Sequence, residues 1–234
     1  NYILESKASK YSERYDNEID GKGTLKQTSR EKALQKLMTT MLLKRLESSV
    51  ESFRRTLSNI LSYNQEMLEK IEAYRKGKEA YIEKTIREFE ELDDDLESAG
   101  MARSTTTGKV KIDLGDMNLL GWERDMQHDA ETLSFLLNEM KKVSMDHDAK
   151  LQQLKEVIQY KIENPFNEGN KKILIFSAFA DTADYLYQAL APIIKAQYHL
   201  EVAKVEGGTG GNKCTLAGVT DMDKVLTLFS PRSK

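Results

Sequence analysis

Cysteine is nearly missing from this sequence. Cys214 is the only one among 234 residues, which excludes an intrachain disulfide and a cysteine-based zinc site and fits a reducing cytoplasm. A charge excess is missing too. Lys and Arg number 35 against 38 Asp and Glu, a net charge of -3, so no global basic field points to nucleic acid and any such contact has to be a local patch. No signal peptide and no apolar run long enough to span a bilayer is present, so no membrane partner is expected. Histidine is scarce: His128, His147 and His199 each stand without a second histidine or carboxylate at metal spacing, and read as core or boundary residues rather than ligands. What remains is a charge-rich chain, 31% charged and 39% hydrophobic, with enough apolar residues for a core. It starts at Asn1 rather than Met, and its last segment, Phe229 to Lys234, stops abruptly after a helix-like pattern, so a piece of a longer protein is expected.

Taken in order, residues 1–28 are polar, interrupted by Gly21-Lys22-Gly23-Thr24, and read as a loosely attached lead-in. From Ser29 the apolar positions fall at alternating steps of three and four. Leu46, Val50, Phe53, Leu57, Ile60, Met67, Ile71 and Tyr74 form a heptad seam, with Asn64 in the one polar slot. Arg75-Lys76-Gly77-Lys78 breaks the phase, and Ile82, Ile86, Phe89, Leu92 and Leu96 form an offset set. The Asp93-Asp94-Asp95 run reads as a solvated face, since adjacent helical positions point in different directions. Glycines and the Ser104 to Thr107 run mark a loop near 98–118, with an extended piece at Val110 to Leu114. Trp122 anchors the start of a return helix carrying Met126, Leu133, Leu137, Met140, His147, Leu151, Leu154, Ile158 and Ile162. If continuous to Ile162, that helix is about 60 Å long at 1.5 Å per residue and has to pair antiparallel with the first. Residues 29–163 are therefore expected to form a long, coiled-coil-like helical hairpin.

Asn164-Pro165 ends that helix, because the residue before proline is pushed out of the helical region. In residues 164–234 the run Ile173-Leu174-Ile175-Phe176 is apolar on successive residues, which suits a strand covered on both faces in a parallel sheet. Asp181 or Thr182 then caps a helix to about Leu190, with Pro192 starting a last turn or kinking it. A second strand fits Leu200 to Val205 and completes a βαβ unit. Gly207-Gly208-Thr209-Gly210-Gly211-Asn212-Lys213 follows, and Thr220 or Asp221 caps a short helix through Phe229. The glycine loop fails as a P-loop, because Asn212 precedes Lys213 and Cys214 follows it, and as a dinucleotide fingerprint, because Lys213 takes the third glycine's place. A flexible loop that touches a nucleic-acid phosphate through amides and a hydroxyl remains open.

The segment Lys172 to Phe179 with Thr182, Leu186 and Leu190, preceded by Asp148-Ala149-Lys150-Leu151-Gln152-Gln153-Leu154, resembles the opening of the second RecA-like lobe of superfamily-two helicases. The likeness is strongest to Swi/Snf-related translocases of bacterial type. There an Asp-x-Lys-Leu-x-x-Leu helix leads into a strand ending in Phe-Ser. Glu206-Gly207-Gly208-Thr209 and the helix ending Phe229-Ser230-Pro231 look like that lobe's next loop and helix, and Met41 to Phe53 is similar to a helix between the two lobes. The hairpin between looks like an insertion.

The resemblance implies a partial RecA-like parallel α/β lobe in a nucleic-acid-dependent ATPase acting on DNA or RNA. Walker A, the Asp-Glu motif and the later arginine motifs are absent from these residues, so the chain alone is expected to hold no catalytic residue, metal or cofactor, with ATP and magnesium belonging to the full-length parent. Ser177, Gly207, Gly208, Thr209 and Lys213 are the candidate nucleic-acid contacts. For Ser177, capping the following turn is the competing role. The alternative reading is a coiled-coil adaptor with a small α/β head, whose hairpin binds a protein partner.

Overall fold

The apolar repeats fold as helices, and short polar side chains decide where those helices stop. The computed structural model describes residues 4, 17–18, 24–25, 27–77, 81–84, 110–207, 211–219 and 221–230. Six α-helices are described, α1 Gln27–Ser48, α2 Val50–Arg75, α3 Leu119–Lys141, α4 Ala149–Glu163, α5 Ala180–Tyr198 and α6 Met222–Phe229. The six described strands, β1 Asn17–Glu18, β2 Thr24–Leu25, β3 Tyr81–Lys84, β4 Val110–Asp113, β5 Ala203–Lys204 and β6 Lys213–Cys214, pair as three antiparallel two-stranded sheets. The described chain is thus mostly helical, and none of its helices is long and apolar enough to cross a membrane.

Two units divide the chain. The first takes Asn1–Arg45 and Arg54–Met140. Within it α2 and α3 run antiparallel: Arg54 Nη2 donates to the Met140 carbonyl at 2.9 Å near one end, and Arg75 pairs with Glu123 at 2.6 Å near the other. From Leu57 onward the seam is where the spacing placed it, whereas before it Leu46 is exposed, Val50 and Phe53 are half-buried, and the buried positions are Ser49, Ser52 and Thr56. Leu57, Asn64, Met67 and Ile71 are buried, and Met67 and Ile71 share a core with Leu114, Met117, Trp122 and Met126. Trp122 reaches that core because Asn118 caps α3, its Oδ1 accepting from the Gly121 amide at 3.1 Å. A Cβ on Gly121 would stand 2.9 Å from the Asn118 side chain, so glycine keeps the cap closed. At the other turn Gly77 (φ 71°) stops α2 in the left-handed region, its amide donating to the Tyr74 carbonyl at 2.9 Å. The chain then forms the ladder β3–β4, so Ile82 pairs with Ile112 in a strand instead of opening a second helical set. Ile86, Phe89, Leu92, Leu96 and the Asp93 to Asp95 run lie outside the described residues.

The second unit takes Leu46–Phe53 and Lys141–Lys234. Its core joins Leu151, Ile158 and Ile162 of α4 to Tyr185, Ala189 and Leu190 of α5, with Ile173, Ile194 and Leu200 packed against it. Asp148 organises this pair: its Oδ1 accepts from the Leu151 amide at 3.0 Å as the N-cap of α4, and its Oδ2 accepts from the buried Tyr185 hydroxyl at 2.9 Å. Ser48 and Ser49 hydroxyls lie 2.8 and 2.9 Å from the Thr182 hydroxyl. Ser49 also separates α1 from α2, its Oγ accepting from the Ser52 amide at 3.0 Å.

Three expectations change. The return helix is not continuous to Ile162: the chain leaves helix at 142–148, and His147 sits exposed in that turn, 2.9 Å from the Ser144 hydroxyl, instead of on a seam. Helix α5 starts at Ala180 after Phe179 rather than at a cap by Asp181 or Thr182, because Thr182 is turned inward to the serines. It also continues through Pro192 to Tyr198, ending on His199 at φ 54°. Finally, the parallel βαβ pairing is not formed among the described residues. Ile173 to Phe176 carries no ladder, and β5 pairs antiparallel with β6 instead. Asp221 caps α6, accepting from the Lys224 amide, as one of the two alternatives had it.

The Asn64 Oδ1 is buried in the α2 seam without a hydrogen-bond partner. An unmet buried acceptor costs about 1–3 kcal/mol. Asn64→Leu is therefore expected to raise the urea midpoint of unfolding by a stabilisation of that order; an unchanged or lowered midpoint would show that the amide is satisfied in solution.

Candidate nucleic-acid interface

Ser177 follows the apolar run and precedes α5. Its Oγ accepts from the Phe179 amide at 3.2 Å and donates to the Phe179 carbonyl at 3.1 Å, so the hydroxyl closes the turn that launches α5. Phe179 is buried at that turn, which fixes the helix entry. The capping role assigned to Ser177 as the competing reading is the one its contacts display.

Gly207 and Gly211 stand between the paired strands β5 and β6. In that ladder Lys204 stands directly opposite Lys213, and Ala203 opposite Cys214. Like charges facing each other across a ladder destabilise it unless something is placed between them. Asp184 of α5 supplies this: its Oδ1 accepts from Lys204 Nζ at 3.0 Å and from Lys213 Nζ at 2.6 Å. Lys204 also pairs with Glu206 at 2.7 Å, and its side chain is only 3% exposed, whereas that of Lys213 is 44% exposed. The Glu206 amide donates to Asn212 Oδ1 at 3.2 Å, tying the two stems of the loop together. Gly211 (φ 83°) needs glycine's freedom there; Gly207 has no neighbour within 4 Å of where a Cβ would stand. On the other side of the hairpin Lys195 of α5 bridges Glu201 at 3.2 Å and the Thr215 carbonyl at 2.8 Å.

These contacts set the protonation states. Burial alone would raise the Asp184 carboxyl, but hydrogen bonds from Lys213 and Lys204 and the charges of both outweigh it and hold the group below its ordinary 3.8. Burial alone would lower the Lys204 ammonium, but hydrogen bonds to Glu206 and Asp184 and their charges lift it above 10.5. The Glu201 carboxyl is lowered chiefly by the hydrogen bond from Thr215, against a smaller opposing effect of burial and with Lys195 adding to the lowering. Lys213 is the more exposed of the two cations that Asp184 holds. Among the described residues no cluster of histidine, cysteine and carboxylates could hold a metal.

Of the five sequence candidates, Gly208 and Thr209 lie outside the described residues. Lys213 belongs to the charged cluster, Gly207 follows Glu206 on the loop stem, and Ser177 bonds to Phe179. Sequence reasoning missed Asp184, Lys204, Glu206 and Asn212. One signal for them existed: Lys204 interrupts the otherwise apolar Val202 to Val205, and Glu206 stands two residues on with the opposite charge. No protein-family model, curated protein or solved structure matched the chain in comparison.

The pH dependence follows from these directions. A carboxyl lowered by folding contributes stability that is present above the ordinary value of 3.8 and is lost as pH falls through the lower folded value. A raised ammonium contributes stability present below 10.5 and lost as pH rises through the higher folded value. Urea unfolding read by far-ultraviolet circular dichroism should weaken as pH falls below 3.8, and Asp184→Asn should flatten that limb. An identical acid limb in the variant would remove Asp184 from this role.

Proposed function

We propose that the chain is part of a nucleic-acid-dependent ATPase related to superfamily-two helicases of the Swi/Snf type, with its second unit as the start of the second RecA-like lobe. The observation that carries this reading is the run Ile173 to Phe176. Ile173 packs on the α4–α5 core, yet Leu174 is 64% and Phe176 86% exposed, and Ile175 is exposed as well. A strand apolar on successive residues belongs in a sheet with cover on both faces. Its exposure fits a central strand whose neighbours come from other parts of the lobe. A free-standing adaptor head would need a partner to cover such a segment, since an exposed apolar edge is an association hazard.

Further support comes from the order of parts. The Asp148 to Leu154 pattern is the capped start of α4, the apolar run follows, then α5, the β5 stem, the glycine loop and α6. In this reading α4 and α5 back the sheet, the loop around Gly207 to Lys213 faces a phosphate backbone, and the α2–α3 hairpin is an insertion that reaches a protein partner or an outlying part of the substrate. ATP chemistry resides in other parts of the parent, which supply the phosphate-binding loop, the magnesium carboxylates and the arginines.

The test is ATP hydrolysis by the polypeptide encoded by the complete reading frame, with and without DNA or RNA. Nucleic-acid-stimulated hydrolysis is expected, abolished by replacing the Walker A lysine, while the 234-residue chain alone is inactive. A complete frame without a Walker A segment, or hydrolysis indifferent to nucleic acid, would overturn the motor reading in favour of the adaptor.

A further inference from the structure

The charged cluster beneath the glycine loop contains one cation more loosely held than the rest. Lys204 is enclosed and satisfied by two carboxylates, Asp184 and Glu206. Lys213 is bound through Asp184, on the same oxygen that Lys204 uses, and its side chain is far more exposed. If Lys213 swings away, Asp184 keeps Lys204 as its partner and no carboxylate is left buried without a cation. The reverse does not hold: moving Lys204 would leave the half-buried Glu206 without the cation it pairs with and would take an ammonium out of its enclosed site. Only Lys213 can therefore exchange partners at small cost.

We propose that Asp184 acts as an internal stand-in for a nucleic-acid phosphate, holding Lys213 in the free protein and surrendering it when a backbone phosphate reaches the loop. A lysine ammonium is a compact point charge on a flexible stem and accepts a carboxylate or a phosphate oxygen in the same geometry. The Glu206–Asn212 tie holds the loop stems together while the lysine, immediately after Asn212, changes partner. Asp184 is then a positioning residue that lowers affinity and prevents the loop from binding anions indiscriminately. The exchange moves no covalent bond and no proton; one ion pair replaces another. This inference rests on the nucleic-acid reading of the loop and goes beyond it by assigning the competition to one carboxylate.

The experiment is fluorescence anisotropy of the full 234-residue chain with a labelled oligonucleotide of about 20 nucleotides, single-stranded and duplex, between about 50 and 200 mM NaCl. Asp184→Asn should tighten binding about fivefold, the scale of one partly exposed ion pair. Lys213→Ala should weaken binding and reduce the slope of log affinity against log salt by about 0.7–0.9, one phosphate contact. In the Lys213→Ala background, Asp184→Asn should then change little. If it tightens binding equally there, the effect is bulk charge and the exchange is overturned. Should Asp184→Asn fail to fold, Lys213→Ala decides alone, since it leaves Lys204 with both carboxylates; an unchanged salt slope overturns the proposal. Salt-dependent binding that ignores Lys213 sinks this inference and leaves the nucleic-acid reading standing, whereas no binding by the unmodified chain at about 50 mM NaCl sinks both.

Discussion

A single carboxylate oxygen accepts two ammonium groups that the β-ladder forces to face each other, and the second unit's hairpin depends on it. Lys204 and Lys213 are opposed by register, not by choice of rotamer, so their repulsion is built into the β5–β6 pairing. Asp184 reaches them from α5, which places the helix, the hairpin and the loop stems in one electrostatic unit. The enclosed Lys204 makes the arrangement demanding: truncating a partner of a buried ion pair typically costs about 3–5 kcal/mol, because the remaining charge stays desolvated. Glu206 completes the neutralisation, and its backbone amide carries the effect on to Asn212. The two stems at Glu206 and Asn212 are thus linked to a helix side chain.

Elsewhere the direction of the chain is set by local hydrogen bonds that interrupt a persistent apolar rhythm. Ser49 caps α2, Asn118 caps α3 and Asp148 caps α4, each offering a side-chain oxygen to an amide three residues on. The rhythm itself was legible, and Leu57, Asn64, Met67 and Ile71 are buried as spaced. The interruptions at Ser49 and at 142–148 were not. Met140, Ser144, His147 and Leu151 keep steps of four, three and four across the second break, so the period alone cannot register that the backbone has left the helix. Periodicity reports which face is buried, whereas continuity is decided by whether a serine or aspartate can satisfy the first free amides better than another turn would.

The candidate site was legible in the same uneven way. Lys213 and the loop glycines announce themselves by composition, but their partner Asp184 lies 29 residues away on a helix where a lone aspartate between Ala183 and Tyr185 looks like a solvated position. Long-range ion pairs leave no mark in spacing. Ser177 shows the converse: its place at the end of an apolar run draws attention, while its hydroxyl is consumed two residues on by Phe179.

The apolar run itself links these observations. Its composition demands cover on both faces, and the described chain gives cover to Ile173 alone. Burying a leucine, isoleucine or phenylalanine side chain is worth roughly 1.5–3 kcal/mol each, so Leu174, Ile175 and Phe176 hold a substantial driving force in reserve. Lys171 and Lys172 precede the run, exposed and of like charge, with Lys172 resting 5.5 Å from the Phe229 ring centroid. Such flanking charge disfavours parallel stacking of identical copies, which would align lysine with lysine, and leaves a different strand as the better neighbour. The turn closed by Ser177 and Phe179 then joins this reserved edge to the helix that carries Asp184. Anything that covers Leu174 to Phe176 would therefore act a few residues from the helix whose Asp184 holds Lys213.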